Sequence, residues 1–284
     1  MRILLTNDDG IEAPGIFALY EALSGLGEIM VVAPETVQSA TSHGITFHKP
    51  LMIEEMQVNE SMRGIAVDGR PADCVKLALR ALWQERFGEN TRPDITISGM
   101  NSGANVGINI IYSGTVAAAV ESAFLGVPAI AVSLELADLA RVRYRRAAQI
   151  ARAVIDRVLE QQLDAHGVIN INIPRVESDD APVPEVRVVE MNAAAGRDTY
   201  ERRVSPEGRV YYWSSGGAMH FIDTRADTDV EALDAGCVSI TPLTYGLTDH
   251  ARLTTWRDRL GEPIAAKELH KPSVERRSPA GRGH

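Results

Sequence analysis

Residues 2–34 read RILLTNDDGIEAPGIFALYEALSGLGEIMVVAP, and this stretch decides the fold. It opens with a short apolar run that stops at Asn7-Asp8-Asp9-Gly10, the pattern of a buried strand ending in a turn. From residue 14 to residue 26 the apolar side chains fall at Ile16, Leu19, Tyr20, Leu23 and Leu26. That is helical spacing, and Gly25 and Gly27 mark its end. A second apolar run over residues 28–33 is closed by Pro34. Strand, helix and strand within about thirty residues make one parallel crossover unit.

The alternation continues outward. Helices are expected over residues 72–87, 114–125 and 136–159, and strands over 95–98, 129–133 and 168–173. This order predicts an α/β fold, Rossmann-like and doubly wound, with a mostly parallel sheet. After Pro174 the texture changes. A strand is expected at 183–190, then a hairpin across 200–212 turning at Pro206-Glu207-Gly208, a loop at 214–217, a strand at 237–243 and a helix near 248–260. Residues 1–260 are therefore read as one α/β domain with a β-rich excursion at about 183–217. That excursion and the C-terminal segment are expected to serve oligomer contacts. Residues 261–284, rich in Pro, Gly, Ser and Arg, are read as an extension that is partly disordered.

Of the 284 residues 45% are hydrophobic, enough to bury a core. The net charge is −9, so the overall basic footprint of a nucleic-acid binder is missing and no stable nucleic-acid complex is expected. Cys74 and Cys237 each sit in an apolar run and read as buried free thiols, not as a disulfide framework or a zinc site. The basic start meets acidic residues by position 8, which does not suit a signal peptide, and no apolar run is long enough to span a membrane. The expected compartment is a reducing cytoplasm.

In an open α/β sheet, ligands bind beyond the carboxyl ends of the strands. Four segments fall there. Asp8 and Asp9 follow the first strand; adjacent carboxylates repel each other, and a cation relieves that repulsion. Oxygen ligands suit a hard ion such as Mg²⁺, Mn²⁺ or Ca²⁺, although the pair taken alone fits an Asx turn or a helix N-cap better. The hydroxyl-rich loop at 34–44 offers either ligands or caps. Residues 98–107, SGMNSGANVG, repeat glycine every fourth position among Asn and Ser, which matches neither a dinucleotide nor a triphosphate fingerprint. Residues 112–119, YSGTVAAA, read as a turn entering a helix N-terminus, suited to phosphate or to a plain cap by Ser113 or Thr115. A hard cation and a phosphate cradle at one sheet edge point to phosphoryl chemistry.

These motifs resemble the SurE family of survival proteins. The resemblance is carried by TNDDG at 6–10, APG at 13–15, AP at 33–34 with Ser39, PADCV at 71–75, SGMNSGANVG at 98–107, YSGTVAAA at 112–119 and VSITPL at 238–243. It implies a metal-dependent phosphomonoesterase acting on nucleoside 5′- and 3′-monophosphates, with short-chain polyphosphate as a further substrate class. It implies one divalent ion per subunit, Mg²⁺ or Mn²⁺ (Ca²⁺ in a crystal), held by Asp8, Asp9, Ser39 and Asn101. Ser113, Gly114 and Thr115 are implied around phosphate, with Asn105 near the substrate. The implied assembly is a homodimer or homotetramer. Asp8 and Asp9 are the catalytic candidates, orienting a water for direct attack or, in the rival chemistry, with Asp8 as nucleophile. A catalytically weak nucleotide-binding stress protein is the alternative. The chain departs from the family pattern at Gln38, where many members carry Arg, and at Ile108-Asn109-Ile110, where many are acidic. His250 follows VSITPL and reads as a surface or interface residue.

Overall fold

The computed structural model describes all residues except 137, 139, 197–198, 216–220, 222–223 and 261–284, so the expectation for the 261–284 extension lies outside the described residues. The chain divides into two compact units, Met1–Tyr245 and Gly246–His284. In the first, the opening crossover forms as the periodicity dictates: β1 (Arg2–Thr6), α1 (Pro14–Leu23) and β2 (Glu28–Pro34). Two short strands follow, β3 (Ile53–Gln57) and β4 (Arg63–Val67), then α2 (Pro71–Leu77), which continues through a π-helical turn into α3 (Trp83–Phe87). Next come β5 (Ile95–Ser102), a 3₁₀ turn at Gly107–Tyr112, α4 (Gly114–Phe124), β6 (Ala129–Leu134), α5 (Tyr144–Leu159) and β7 (Val168–Ile173). The remainder is β8 (Val186–Val188), β9 (Tyr200–Val204), β10 (Val210–Ser214), α6 (Asp229–Asp234) and β11 (Val238–Leu243).

Among the described residues, nine strands form one sheet in the order β3-β4-β2-β1-β5-β6-β7-β11-β8. The pairs from β4 through β7 are parallel, whereas β3 against β4 and β11 against β7 are antiparallel. The expected doubly wound, mostly parallel sheet is therefore present. Strand alternation sorts the core into two faces. Ile3 and Leu5 pack with Ile16, Leu19 and Leu23 of α1 and Ile150 and Val154 of α5. Leu4 packs oppositely, with Val75 of α2 and Trp83 of α3. On that second face α4 covers Ala129, Ala131 and Val168.

From β1 the chain moves to β2 on one side and later returns to β5 on the other. The strand order thus reverses between β1 and β5, and their carboxyl ends border the crevice where such sheets bind ligands. Here β5 runs four residues past its expected end. Its pairing with β6 shifts register between Ser98 and Asn101, and the Gly99–Met100 peptide is cis. The longer strand carries Asn101 and Ser102 to the crevice.

The helix expected from residue 136 begins only at Tyr144. The Asp138 carboxylate and carbonyl accept the N–H groups of Ala140 and Arg141, which makes a turn, and the Arg143 N–H is drawn to the Val176 carbonyl. The expected strand at 183–190 shrinks to three residues beside β11. The hairpin forms as β9 and β10, with Gly208 left-handed in its turn, and Ser214 belongs to β10 and not to the loop. In the second unit, α7 (His250–Leu260) is the described helix. Among the described residues no helix is long and apolar enough to cross a membrane.

Candidate active site at the β1–β5 crevice

Asp8 and Asp9 leave β1 directly into the crevice. Asn7 closes the turn beneath them, its amide donating to the Gly10 carbonyl at 2.8 Å. Asp8 is buried, and the Thr115 hydroxyl donates to its Oδ1. The Thr115 backbone N–H also faces this carboxylate. The N-terminus of α4 therefore addresses Asp8. Gly114 makes that approach possible: a Cβ there would stand 2.8 Å from the Asp8 Cβ and 2.9 Å from its Oδ2. Asp9 is half-buried and accepts the Ser102 N–H at 2.7 Å.

Burial pushes the Asp8 carboxyl up to about 6; the Thr115 hydrogen bond opposes this, and the like charge of Asp9 adds to it. Neither carboxylate is in an ion pair among the described residues. A helix N-terminus, which attracts anions, and two unneutralised carboxylates thus share one crevice.

Two further segments reach it. The Gln38 N–H donates to the Asp8 carbonyl at 2.7 Å, which anchors the segment that bears Ser39, the next residue, at the end of β1. Asn101 donates its amide N–H to the Gly103 carbonyl at 2.7 Å, so its carbonyl oxygen is the polar end left for another partner. Ser113 uses its hydroxyl as the α4 N-cap, accepting the Val116 N–H at 3.1 Å. The structure thus brings together Asp8, Gly114 and Thr115 directly, and the segments bearing Asp9, Ser39 and Asn101 around them.

Asn105, expected near the substrate, is bonded into the sheet at Ser133, the register partner of Asn101. Its amide donates to the Ser133 hydroxyl at 2.8 Å, its N–H donates to Asn172 Oδ1, and its carbonyl accepts from Asn170 and Asn172. These bonds tie the glycine-rich loop down onto β6 and β7. Asp229 of α6 holds the other end of that loop by accepting the Gly107 N–H at 2.8 Å. Sequence reasoning missed these anchors, yet one signal was available. Asn170 and Asn172 alternate with isoleucine in VININI, so an otherwise apolar, mostly buried strand carries two buried amides on one face.

The donors available at the crevice are carboxylate, hydroxyl and amide oxygens. Among the described residues no group of three or more His, Cys, Asp or Glu is arranged to hold a metal ion, and Cys74 is buried in the α2 core. A thiolate or imidazole site is therefore not built here, and the oxygen set suits a hard divalent ion.

The sequence profile of the family described as Survival protein SurE matches residues 3–198. The chain belongs to the SurE family. A SurE relative from Carboxydothermus hydrogenoformans, named 5′-nucleotidase SurE, is 43% identical over 274 residues, covering 93% of this chain and 99% of the relative. Its counterpart from Heliobacterium modesticaldum, of the same name, is 40% identical over 265 residues and 92% of each chain. The crystal structure of the SurE protein from Aquifex aeolicus superposes with a TM-score of 0.76 at 32% identity, covering 91% of this chain and 99% of that one.

Proposed function

We propose that this protein is a metal-dependent 5′-nucleotidase, hydrolysing nucleoside monophosphates to nucleoside and phosphate. The observation that carries the reading is the buried Asp8 carboxylate set against the N-terminus of α4 beside Asp9, with no Lys or Arg paired to it among the described residues. An anion receptor next to two anions becomes a coherent site once the carboxylates hold a divalent cation, which would supply positive charge for a substrate phosphate. Family membership and the name shared by the relatives support the same activity.

Asp8, Asp9, Ser39 and Asn101 would hold one divalent ion, Mg²⁺ or Mn²⁺. When bound, the ion supplies positive charge against the phosphoryl oxygens. The start of α4 at Gly114 and Thr115 would face the remaining phosphate charge, with the Thr115 hydroxyl and N–H turned to Asp8 and Ser113 capping the helix. Ser102 holds one oxygen of Asp9 and Thr115 one of Asp8, so neither carboxylate is free to rotate. A water oriented by this pair gives up a proton to one of them as its oxygen bonds to phosphorus; the bond from phosphorus to the nucleoside oxygen breaks, and that oxygen takes up a proton from the carboxyl group or solvent to leave as the nucleoside hydroxyl. Action on 3′-monophosphates and a cytoplasmic location belong to this reading. So does a homodimer or homotetramer, which the exposed Tyr212 and Trp213 on β10 support.

The test is phosphate release from nucleoside 5′- and 3′-monophosphates and p-nitrophenyl phosphate, with Mg²⁺, Mn²⁺ or EDTA, for wild type and Asp9→Asn. Turnover that needs metal and falls at least a hundredfold in the variant is expected. Metal-independent turnover, or none on any substrate, would favour the nucleotide-binding alternative.

A further inference from the structure

The loop that carries Ser39 has little regular structure, and Ala40 and Ser42 both adopt left-handed backbone, at φ of 55° and 54°. Such residues persist only where their surroundings hold them. Ser42 is held to the 3₁₀ turn before α4: its N–H donates to the Tyr112 carbonyl at 3.0 Å and its hydroxyl to the Ile111 carbonyl at 2.7 Å. One residue on, His43 Nε2 lies 2.8 Å from Oε2 of Glu121, a carboxylate on α4 whose side chain is only 5% exposed. The second Glu121 oxygen lies 3.4 Å from the Lys76 ammonium on α2.

A carboxylate this buried needs compensation, and nothing in the catalytic reading uses it. Burial raises the Glu121 carboxyl, but His43 and Lys76 outweigh it and hold the group below the usual carboxylate range. The charged, paired form is therefore the stable one. Glu121 sits on the helix whose first turn faces Asp8, and His43 sits four residues after Ser39.

We infer that His43 and Glu121 form a latch that fixes the Ser39 loop against α4 and thereby sets the affinity of the crevice for its divalent cation. They are positioning residues; neither touches cation or substrate. The inference rests on the reading of Asp8, Asp9, Ser39 and Asn101 as cation ligands. Outer partners that orient metal ligands change affinity by about ten- to a hundredfold when removed.

The experiment titrates Mn²⁺ into the metal-free full chain by calorimetry, without substrate, for wild type, His43→Ala, His43→Gln and Glu121→Gln. His43→Ala is expected to weaken Mn²⁺ by about tenfold. His43→Gln, whose amide still donates to Glu121, recovers most of that loss. At saturating Mn²⁺ the kcat of His43→Ala stays within about twofold of wild type, while the Mn²⁺ concentration for half-maximal rate rises with the Kd. Equal Mn²⁺ affinity in wild type, His43→Ala and Glu121→Gln would overturn the latch. His43 is partly exposed, so its variants test the idea even where Glu121→Gln fails to fold. Wild-type protein that binds no Mn²⁺ at all would instead remove the cation reading itself, and the latch with it.

Discussion

At the scale of single residues, the crevice is held in an unfavourable charge state. Asp8 has lost most of its contact with water and stands next to Asp9, and its carboxyl is raised from 3.8 to about 6. A folded-state pKa above the unfolded one means that the native chain binds more protons through that interval. The stabilising contribution is full below about pH 4 and is lost as pH rises through about 6. At neutral pH the ionised Asp8 costs the metal-free chain roughly 3 kcal/mol. Asp8→Asn keeps an oxygen that can accept from Thr115 and removes the charge. The variant is therefore expected to abolish turnover yet raise the unfolding free energy of metal-free protein by about 2–3 kcal/mol at pH 8, with little gain at pH 4. Urea unfolding in EDTA at the two pH values measures this. An equal or lower stability of Asp8→Asn at pH 8 would show that Asp8 is not held under strain.

At the scale of elements, the glycine-rich loop after β5 is positioned by a polar knot that no local propensity encodes. Asn172 both accepts the Asn105 N–H and donates to the Asn105 carbonyl, and all of these groups are buried. Asn172→Ala leaves the buried Asn105 N–H without its partner, at about 1–3 kcal/mol, while the Asn105 carbonyl keeps the bond from Asn170. A loss of roughly 1–3 kcal/mol in urea denaturation is expected, and a loss under about 1 kcal/mol would mean the loop finds other partners. This knot also shows what sequence could and could not tell. Short runs closed by turn residues or proline located β1, β2 and β7, and helical spacing and a helix-entry turn located α1 and α4, because burial dictates composition in each. β3 escaped notice because Ile53–Gln57 is an almost fully exposed edge strand with two glutamates and no buried face to pattern it. The start of α5 was misplaced because a carboxylate at Asp138 and a carbonyl at Val176 outcompeted helical spacing. Asp8, Asp9 and Thr115 were legible from motif and strand end. The Glu121–His43 pair joins residues 78 positions apart and was visible only once the chain had folded.

At the scale of the whole molecule, charge bears on which phosphate compounds reach the site. The chain carries a net charge of −9. Beside Asp9 lies a groove of about 520 Å³, lined among others by Glu12, Glu35, Thr36, Ser102 and Tyr144, with no Lys or Arg in its walls. Such a volume suits a nucleoside, whose hydroxyls can donate to carboxylates. A polyphosphate would bring further negative charge into the same field. Each pair of like charges about 6 Å apart costs about 0.7 kcal/mol in water, so two glutamates against two extra charges reach a few kcal/mol before screening. Salt weakens this, since the screening length falls from about 30 Å at 0.01 M to about 8 Å at 0.15 M. At low ionic strength, kcat/KM for tripolyphosphate is therefore expected to lie at least about tenfold below that for AMP. The gap should narrow as KCl is raised, and also at fixed salt in the Glu12→Gln, Glu35→Gln double variant. Steady-state rates on both substrates across a salt series decide the matter. A tripolyphosphate rate equal to the AMP rate at low salt, unmoved by either change, would mean that the phosphate chain runs over the α4 N-terminus and never meets the acidic groove.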